Sequence, residues 1–245
     1  MMAPESPVEE SVEIDSGPEK LEHWATKPFI DRILLVLGIT LYGAQIACVY
    51  EALRFKIFGA GIRRGKSYTA ALMVFIDLVW MMYRVRAGIE VRSDLGTRWA
   101  IVGPDYNQCR AEMLFLMGMC TRYRIPFKAS APQEGKWTIW FPTFKGFIVE
   151  TFSSKDVTVL AQFPYRGMVI AEAGKHPKGV YETCTERVSE DFGWVFICGT
   201  FEQSKDPWYT ILARLWESPH AEGKSFYSAS WELSLIHISE PTRPY

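Results

Sequence analysis

Ala60-Gly61-Ile62-Arg63-Arg64-Gly65-Lys66-Ser67 has the residue types and spacing of a phosphate-binding loop, with alanine in place of the first glycine. Such a loop works because successive backbone N–H groups wrap the phosphates while the following helix turns its positive N-terminus toward them. In that arrangement Lys66 neutralises the β- and γ-phosphates and the Ser67 hydroxyl ligates Mg²⁺. The expected ligands are therefore ATP and Mg²⁺, cradled by Ala60, Gly61, Ile62, Arg63, Arg64, Gly65, Lys66 and Ser67. The bland alternative is a glycine turn beside a solvated lysine.

Two further places carry chemistry. Met168-Val169-Ile170-Ala171-Glu172-Ala173 is an apolar strand ending in a carboxylate. A strand of this kind is expected beside the loop-bearing strand, where its terminal acids hold the metal's water shell and orient the attacking water. Glu172 is the candidate for polarising water, and a plain strand end is the competing reading. The acid expected one residue earlier is Ala171, so either another carboxylate such as Asp156 substitutes or turnover is slow. Cys198-Gly199-Thr200 ends another apolar run; the Thr200 hydroxyl is placed either to sense a γ-phosphate or simply to close a turn.

The elements that must position these groups alternate. A helix is expected over much of 41–53, a strand at 54–58, a helix at 66–86, a strand at 99–103 and a helix at 106–123. A hairpin is expected from 137–141 and 146–152 around Pro142-Thr143-Phe144-Lys145, then strands at 167–171 and 194–199, helices at 179–190 and 207–217, and a last strand at 226–231. This is an α/β pattern with a mainly parallel sheet flanked by helices. Residues 1–20 are acidic and contain Pro and Ser, and read as disordered. Residues 21–232 read as one domain. Ile33–Tyr50 is eighteen residues without a charge, the short end of what spans a bilayer, but Gly38, Thr40, Gly43 and Gln45 favour a buried segment.

The formal net charge of −1 conceals an asymmetry: 1–22 hold seven acids against Lys20, whereas 51–130 hold thirteen Lys and Arg against six Asp and Glu. That basic excess suits either phosphate contact or an ordinary solvated surface, so Arg84, Arg86, Arg92, Arg122 and Arg124 carry no assignment. Five cysteines form no Cys-x-x-Cys pair and lie in apolar runs, which points to a reducing compartment and away from a zinc site. The acidic N-terminus argues against a secretory signal.

In order, Gln45, Arg54-Phe55-Lys56, Gly59–Ser67, Trp99–Glu112 (WAIVGPDYNQCRAE), Val169–Pro177 (VIAEAGKHP) and Asp191–Trp216 resemble the ATPase domain of tailed-phage terminase large subunits. The resemblance spans about 39–231. It implies a P-loop NTPase fold of the ASCE type, an adenine contact from Gln45, a γ-phosphate response from Arg63 or Arg64, a catalytic carboxylate at Glu172, and a coupling role for Thr200. It also implies ATP hydrolysis coupled to movement of double-stranded DNA in the host-cell cytoplasm, by a homo-oligomeric ring at a portal protein with a terminase small subunit and no membrane. A nucleotide-gated scaffold and a helicase-like ATPase are the alternatives. Residues 233–245 (SLIHISEPTRPY preceded by Leu233) resemble the translated read-through of a sequencing adapter and are expected to be non-native. A C-terminal RNase H-like nuclease domain is expected to be missing from these residues.

Overall fold

The computed structural model describes residues 24–61, 64–89, 97–133, 135–155, 157–189, 192–201 and 207–228. The expectations placed on 1–20, on Ile62, Arg63 and Asp156, and on the tail from 233 lie outside them. Helix α1, Lys27–Leu37, takes Pro28 in its first turn and closes on Gly38, whose left-handed φ of 60° lets the chain turn back onto the Leu34 and Leu35 carbonyls. After Gly43 comes α2, Ala44–Tyr50. The uncharged run from Ile33 is thus broken into two short helices, with Ile33, Leu34, Leu37, Cys48 and Val49 turned into the core. Strand β1, Phe55–Ala60, then leads into α3, Lys66–Arg86. This helix is long and apolar enough to cross a bilayer by length and composition, yet it is mostly buried inside the protein.

Next come β2, Arg98–Gly103, a short 3₁₀ turn at Tyr106–Cys109, and α4, Arg110–Arg122. Strands β3 (Lys128–Ser130), β4 (Thr138–Trp140) and β5 (Ile148–Ser153) follow, then α5, Val157–Leu160. The chain continues through β6 (Gly167–Ala171), α6 (Lys178–Ser189), β7 (Trp194–Gly199), α7 (Trp208–Leu215) and β8 (Lys224–Ser228). The expected 137–152 hairpin is present as the antiparallel β4–β5 pair. The last strand starts two residues earlier than expected, and β3 and α5 are too short to have shown in the pattern.

The sheet runs β3-β4-β5-β2-β6-β7-β1-β8, parallel from β5 through β8 and antiparallel at β3 and β4. Alternation splits each central strand between two cores. Trp99, Ile101, Val169, Ala171, Phe196 and Cys198 pack toward α1 to α4. Ala100, Val102, Met168, Ile170, Val195 and Ile197 pack toward α6 and α7. Because these strands are parallel, the ends of β1, β2, β6 and β7 open on one edge, where ligands of open α/β sheets bind.

One expectation about the order is overturned. The strand ending at Ala171 does not lie beside the loop-bearing strand: β7 stands between them, pairing Val195–Gly199 with Phe55–Gly59 on one side and Trp194–Cys198 with Gly167–Ala171 on the other. Connections through α6 and the α7 segment allow this insertion, and the run of apolar residues in β7, buried on both faces, requires it.

Asp77, fully buried in the middle of α3, fixes that helix on the sheet. Its Oδ2 accepts from Trp99 Nε1 and Trp194 Nε1, each at 2.9 Å, and lies 3.4 Å from Arg166 Nε. Lys56 makes a second buried anchor from β1, donating to the Cys48 carbonyl at 2.9 Å with its ammonium 4.7 Å from the Trp24 ring centroid. Burial pushes its pKa down to about 8. Replacing Asp77 with Ala leaves buried Arg166 without its carboxylate and strips two indoles of an acceptor. Chemical denaturation of Asp77→Ala is expected to show a loss of about 3–5 kcal/mol; a loss below about 1 kcal/mol would mean that the cluster does not anchor α3.

Candidate nucleotide site

The loop enters the site from β1 and leaves it at Gly65, which caps α3 in the left-handed region at φ 75°. Glycine is required there on two counts. L side chains avoid that φ, and a Cβ would sit 2.7 Å from Gln45 Nε2. The Lys66 ammonium folds back on the loop, donating to the Ala60 carbonyl at 3.0 Å and the Gly61 carbonyl at 2.8 Å. Its charge is therefore held against the residues that lead into the loop. Arg64 and Ser67 are half-buried beside it, and α3 aims its N-terminus at the same space.

Gln45, far away in sequence, is brought to this loop. Its Nε2 donates to Thr69 Oγ1 at 2.9 Å, its Oε1 accepts from the Tyr42 N–H at 3.3 Å, and Thr69 Oγ1 in turn donates to the Gly65 carbonyl at 2.9 Å. The amide is thus fixed against the root of the loop, and the structure joins Gln45 to Gly65, Lys66 and Ser67 in one cluster. Ile62 and Arg63 are outside the described residues.

Glu172 follows β6 directly and holds φ 55°, ψ 45°, a left-handed conformation uncommon for a side chain of this size. Strain of this kind persists where surrounding structure fixes it, as at sites that must aim a side chain. The carboxylate is half-buried and lies 3.5 Å from Lys175 Nζ, which also donates to Gln108 Oε1 at 3.2 Å. Thr200, 6% exposed, stands at the end of β7. Since β7 runs between β1 and β6, Thr200 falls between the loop and Glu172, a position that no local sequence feature announced. Beneath it, the buried Cys198 thiol lies in the field of Glu112, Glu172 and Lys66, and burial pushes its pKa far up.

Glu112 is the residue that the sequence reading passed over. It is 2% exposed in the first turn of α4, its carboxylate lies close to the Ser67 side chain, and its Oε2 has no partner. Burial raises its pKa, the Ser67 contact opposes that rise, and the nearby Glu172 charge adds to it. A signal was available: Glu112 stands on the buried stripe of α4 with Met113, Leu116, Met119 and Cys120, where a solvated acid has no reason to be. Among the described residues, no three His, Cys, Asp or Glu side chains form a metal centre by themselves. Ser67, Glu112 and the half-buried Glu172 nonetheless offer hard oxygen donors suited to Mg²⁺ that shares a nucleotide's phosphates.

Ala171 is fully buried, and its carbonyl accepts from His176 Nε2 at 2.7 Å, which fixes the Nε2–H tautomer. The His176 carbonyl accepts from Trp208 Nε1 at 2.7 Å, so the ring ties the end of β6 to α7. Burial holds the His176 pKa below its usual 6.5, against smaller opposing effects of the Ala171 hydrogen bond and Glu172. The unfolded chain then takes up a proton that the folded one refuses, so this residue's contribution to stability is present above pH 6.5 and declines as the pH falls below it. Urea melts between pH 7.5 and 5 are expected to show wild type losing more stability than His176→Gln across that window; parallel curves would exclude the assignment.

The sequence matches no protein-family model and no curated protein. Solved structures do match. The ATPase domain of the large terminase of Thermus phage P74-26 superposes with a TM-score of 0.61 at 16% identity, covering 85% of this chain and 88% of that one. A mutant of the same domain gives 0.63 at 17% identity, with 85% and 89% covered. The large terminase of bacteriophage HK97 gives 0.52 at 13% identity over 82% of this chain and 44% of that longer one. The chain has the fold of phage large-terminase ATPase domains, and the described residues of the 60–67 loop, Glu172 and Thr200 lie at the carboxyl edge of the sheet.

Proposed function

We propose that this protein binds ATP at the Ala60–Ser67 loop and hydrolyses it as the motor domain of a terminase large subunit, driving double-stranded DNA into a procapsid. The observation that carries this reading is the meeting of Lys66, Ser67 and Glu172 at one edge of the sheet, brought together from two strand ends that β7 separates. Gly65 and the loop amides orient the phosphates, while Lys66 leaves its two carbonyl acceptors to neutralise the β- and γ-oxygens. Mg²⁺, held by Ser67 and the neighbouring carboxylates, would supply charge neutralisation across those oxygens. Glu172 accepts a proton from the attacking water, aimed by its left-handed backbone and by Lys175. Arg64, half-buried beside Lys66, is the loop arginine that answers the charge developing on the γ-phosphate. Thr200, between loop and carboxylate, reports the loss of that phosphate to the DNA-handling surface. Gln45, fixed against the root of the loop, takes the base contact.

The fold shared with terminase ATPase domains supports the wider setting: a homo-oligomeric ring, a portal protein and a terminase small subunit as partners, and the host-cell cytoplasm as location. A second reading, a nucleotide-gated scaffold with little turnover, is favoured by one observation, the apolar Ala171 at the end of β6.

Two variants separate these readings. Lys66→Ala is expected to weaken ATP binding at least 10-fold in equilibrium dialysis. Glu172→Gln is expected to keep binding and to lower phosphate release about 10²- to 10⁴-fold. Unchanged release in Glu172→Gln, from a wild type that binds ATP, would select the scaffold. Unchanged binding in Lys66→Ala would remove the loop from the account altogether.

A further inference from the structure

The strand end that would present an acid to the metal presents Ala171 instead, packed at zero exposure with its carbonyl committed to His176. Nothing at that position can hold a cation. Across the same edge, α4 brings a different acid near Ser67, Glu172 and Cys198. The helix is positioned by a tight turn after β2. Asp105 accepts from the Gln108 N–H at 3.0 Å, and the Cys109 thiol packs 3.5 Å from the Ile101 carbonyl and 3.7 Å from the Phe152 carbonyl. This sets the first turn of α4 over the ends of β2 and β5, and turns Glu112 inward rather than to solvent.

There Glu112 lies close to Ser67, at 2% exposure, and leaves Oε2 buried with no partner. An unpaired buried carboxylate oxygen is costly, and native proteins keep such groups mainly where a ligand completes them. Mg²⁺ in nucleotide sites takes one or two carboxylates together with the phosphates. Glu172 is engaged with Lys175, whereas Glu112 keeps an unpartnered oxygen on a carboxylate close to the hydroxyl that the loop offers to the metal.

We propose that Glu112, from α4, is the carboxylate that holds the Mg²⁺ of the bound nucleotide together with Ser67, replacing the strand-end acid that Ala171 lacks. This rests on the ATP-binding reading above. It makes Glu112 a metal-site residue and Glu172 the water-directed one, so the two acids divide the work that neighbouring strand-end acids would otherwise share. A purely structural Glu112, a neutral acid bridging Ser67 to α4, is the competing account, and glutamine would serve that role equally well.

The test uses the full chain with ADP and Mn²⁺ as the spectroscopic substitute for Mg²⁺. Calorimetry gives the ADP affinity in EDTA, and electron paramagnetic resonance gives the Mn²⁺ affinity of the protein–ADP complex, neither depending on turnover. Glu112→Gln is expected to bind metal-free ADP within about twofold of wild type and to lose about 10- to 100-fold in Mn²⁺ affinity. Wild-type Mn²⁺ affinity in Glu112→Gln would overturn the proposal and leave ATP binding intact. A wild type that binds no ADP with or without metal would overturn both. Should Glu112→Gln not fold, anomalous scattering from Mn²⁺·ADP in wild-type crystals decides: the ion is expected at Ser67 with Glu112 as its nearest acid, and another nearest acid overturns the assignment.

Discussion

Asp77 is an acid with no solvent exposure within the apolar middle of α3, and much of the site depends on how it is held. Two indoles, from β2 and β7, and the Arg166 guanidinium that precedes β6 converge on a single oxygen. These three strands border one another, so the cluster fixes α3 in rotation and in height against the middle of the sheet. The N-terminus of α3 carries Gly65, Lys66 and Ser67. Where Asp77 is held therefore decides where the loop opens relative to Glu172 and Thr200. Lys56, reaching Cys48 and Trp24, does the same for α2 and hence for Gln45.

On that frame the charges at the sheet edge fall into a pattern that a substitution list would not reveal. Lys66 is parked on two carbonyls, Glu172 is leashed to Lys175, and Glu112 is sealed behind Ser67 with one oxygen open. Each group sits near an opposite charge or a polar neighbour that a phosphate or cation can displace. A roomy cleft lies elsewhere. It is a space of about 670 Å³ at the far end of α3, lined by Phe29, Arg32, Trp80, Tyr83, Arg86 and Tyr123. Size alone favours that cleft as a ligand site, but its lining includes no carboxylate to hold a metal or direct a water. The sheet edge is the better candidate because its groups converge.

Much of the fold was legible in the sequence. Lys66–Arg86 was expected as a helix and is one over the same residues, because a glycine capable of a left-handed cap precedes an apolar run too long for a strand. The 137–152 hairpin and the strands at 167–171 and 194–199 were likewise readable from apolar runs bounded by turns. Helix α1 was missed because its charged Asp31 and Arg32 fall outside the uncharged run that drew the eye, and that run spans a break at Gly38. Strand order was not legible, since no local pattern says that β7 inserts between β1 and β6; placing Thr200 at the centre of the site follows only from that insertion. Within the candidate site, the loop and strand-end residues stand out in the sequence because the chemistry expected of them sets their spacing. Glu112 does not stand out that way, since only the packing of α4 across the edge brings it there.

The central claim is that nucleotide binds at the carboxyl edge, on residues of β1, α3, β6 and β7, rather than in the aromatic cleft. Hydrogen–deuterium exchange on the full chain with and without Mg²⁺·ATPγS tests it most directly, because it localises the ligand without altering any residue. The account predicts slowed exchange in 61–69, 172–175 and 199–201, with α4 around Glu112 following, and no change at Trp80 and Tyr83. Protection confined to the cleft between α1 and the end of α3, with the loop exchanging as before, would contradict it.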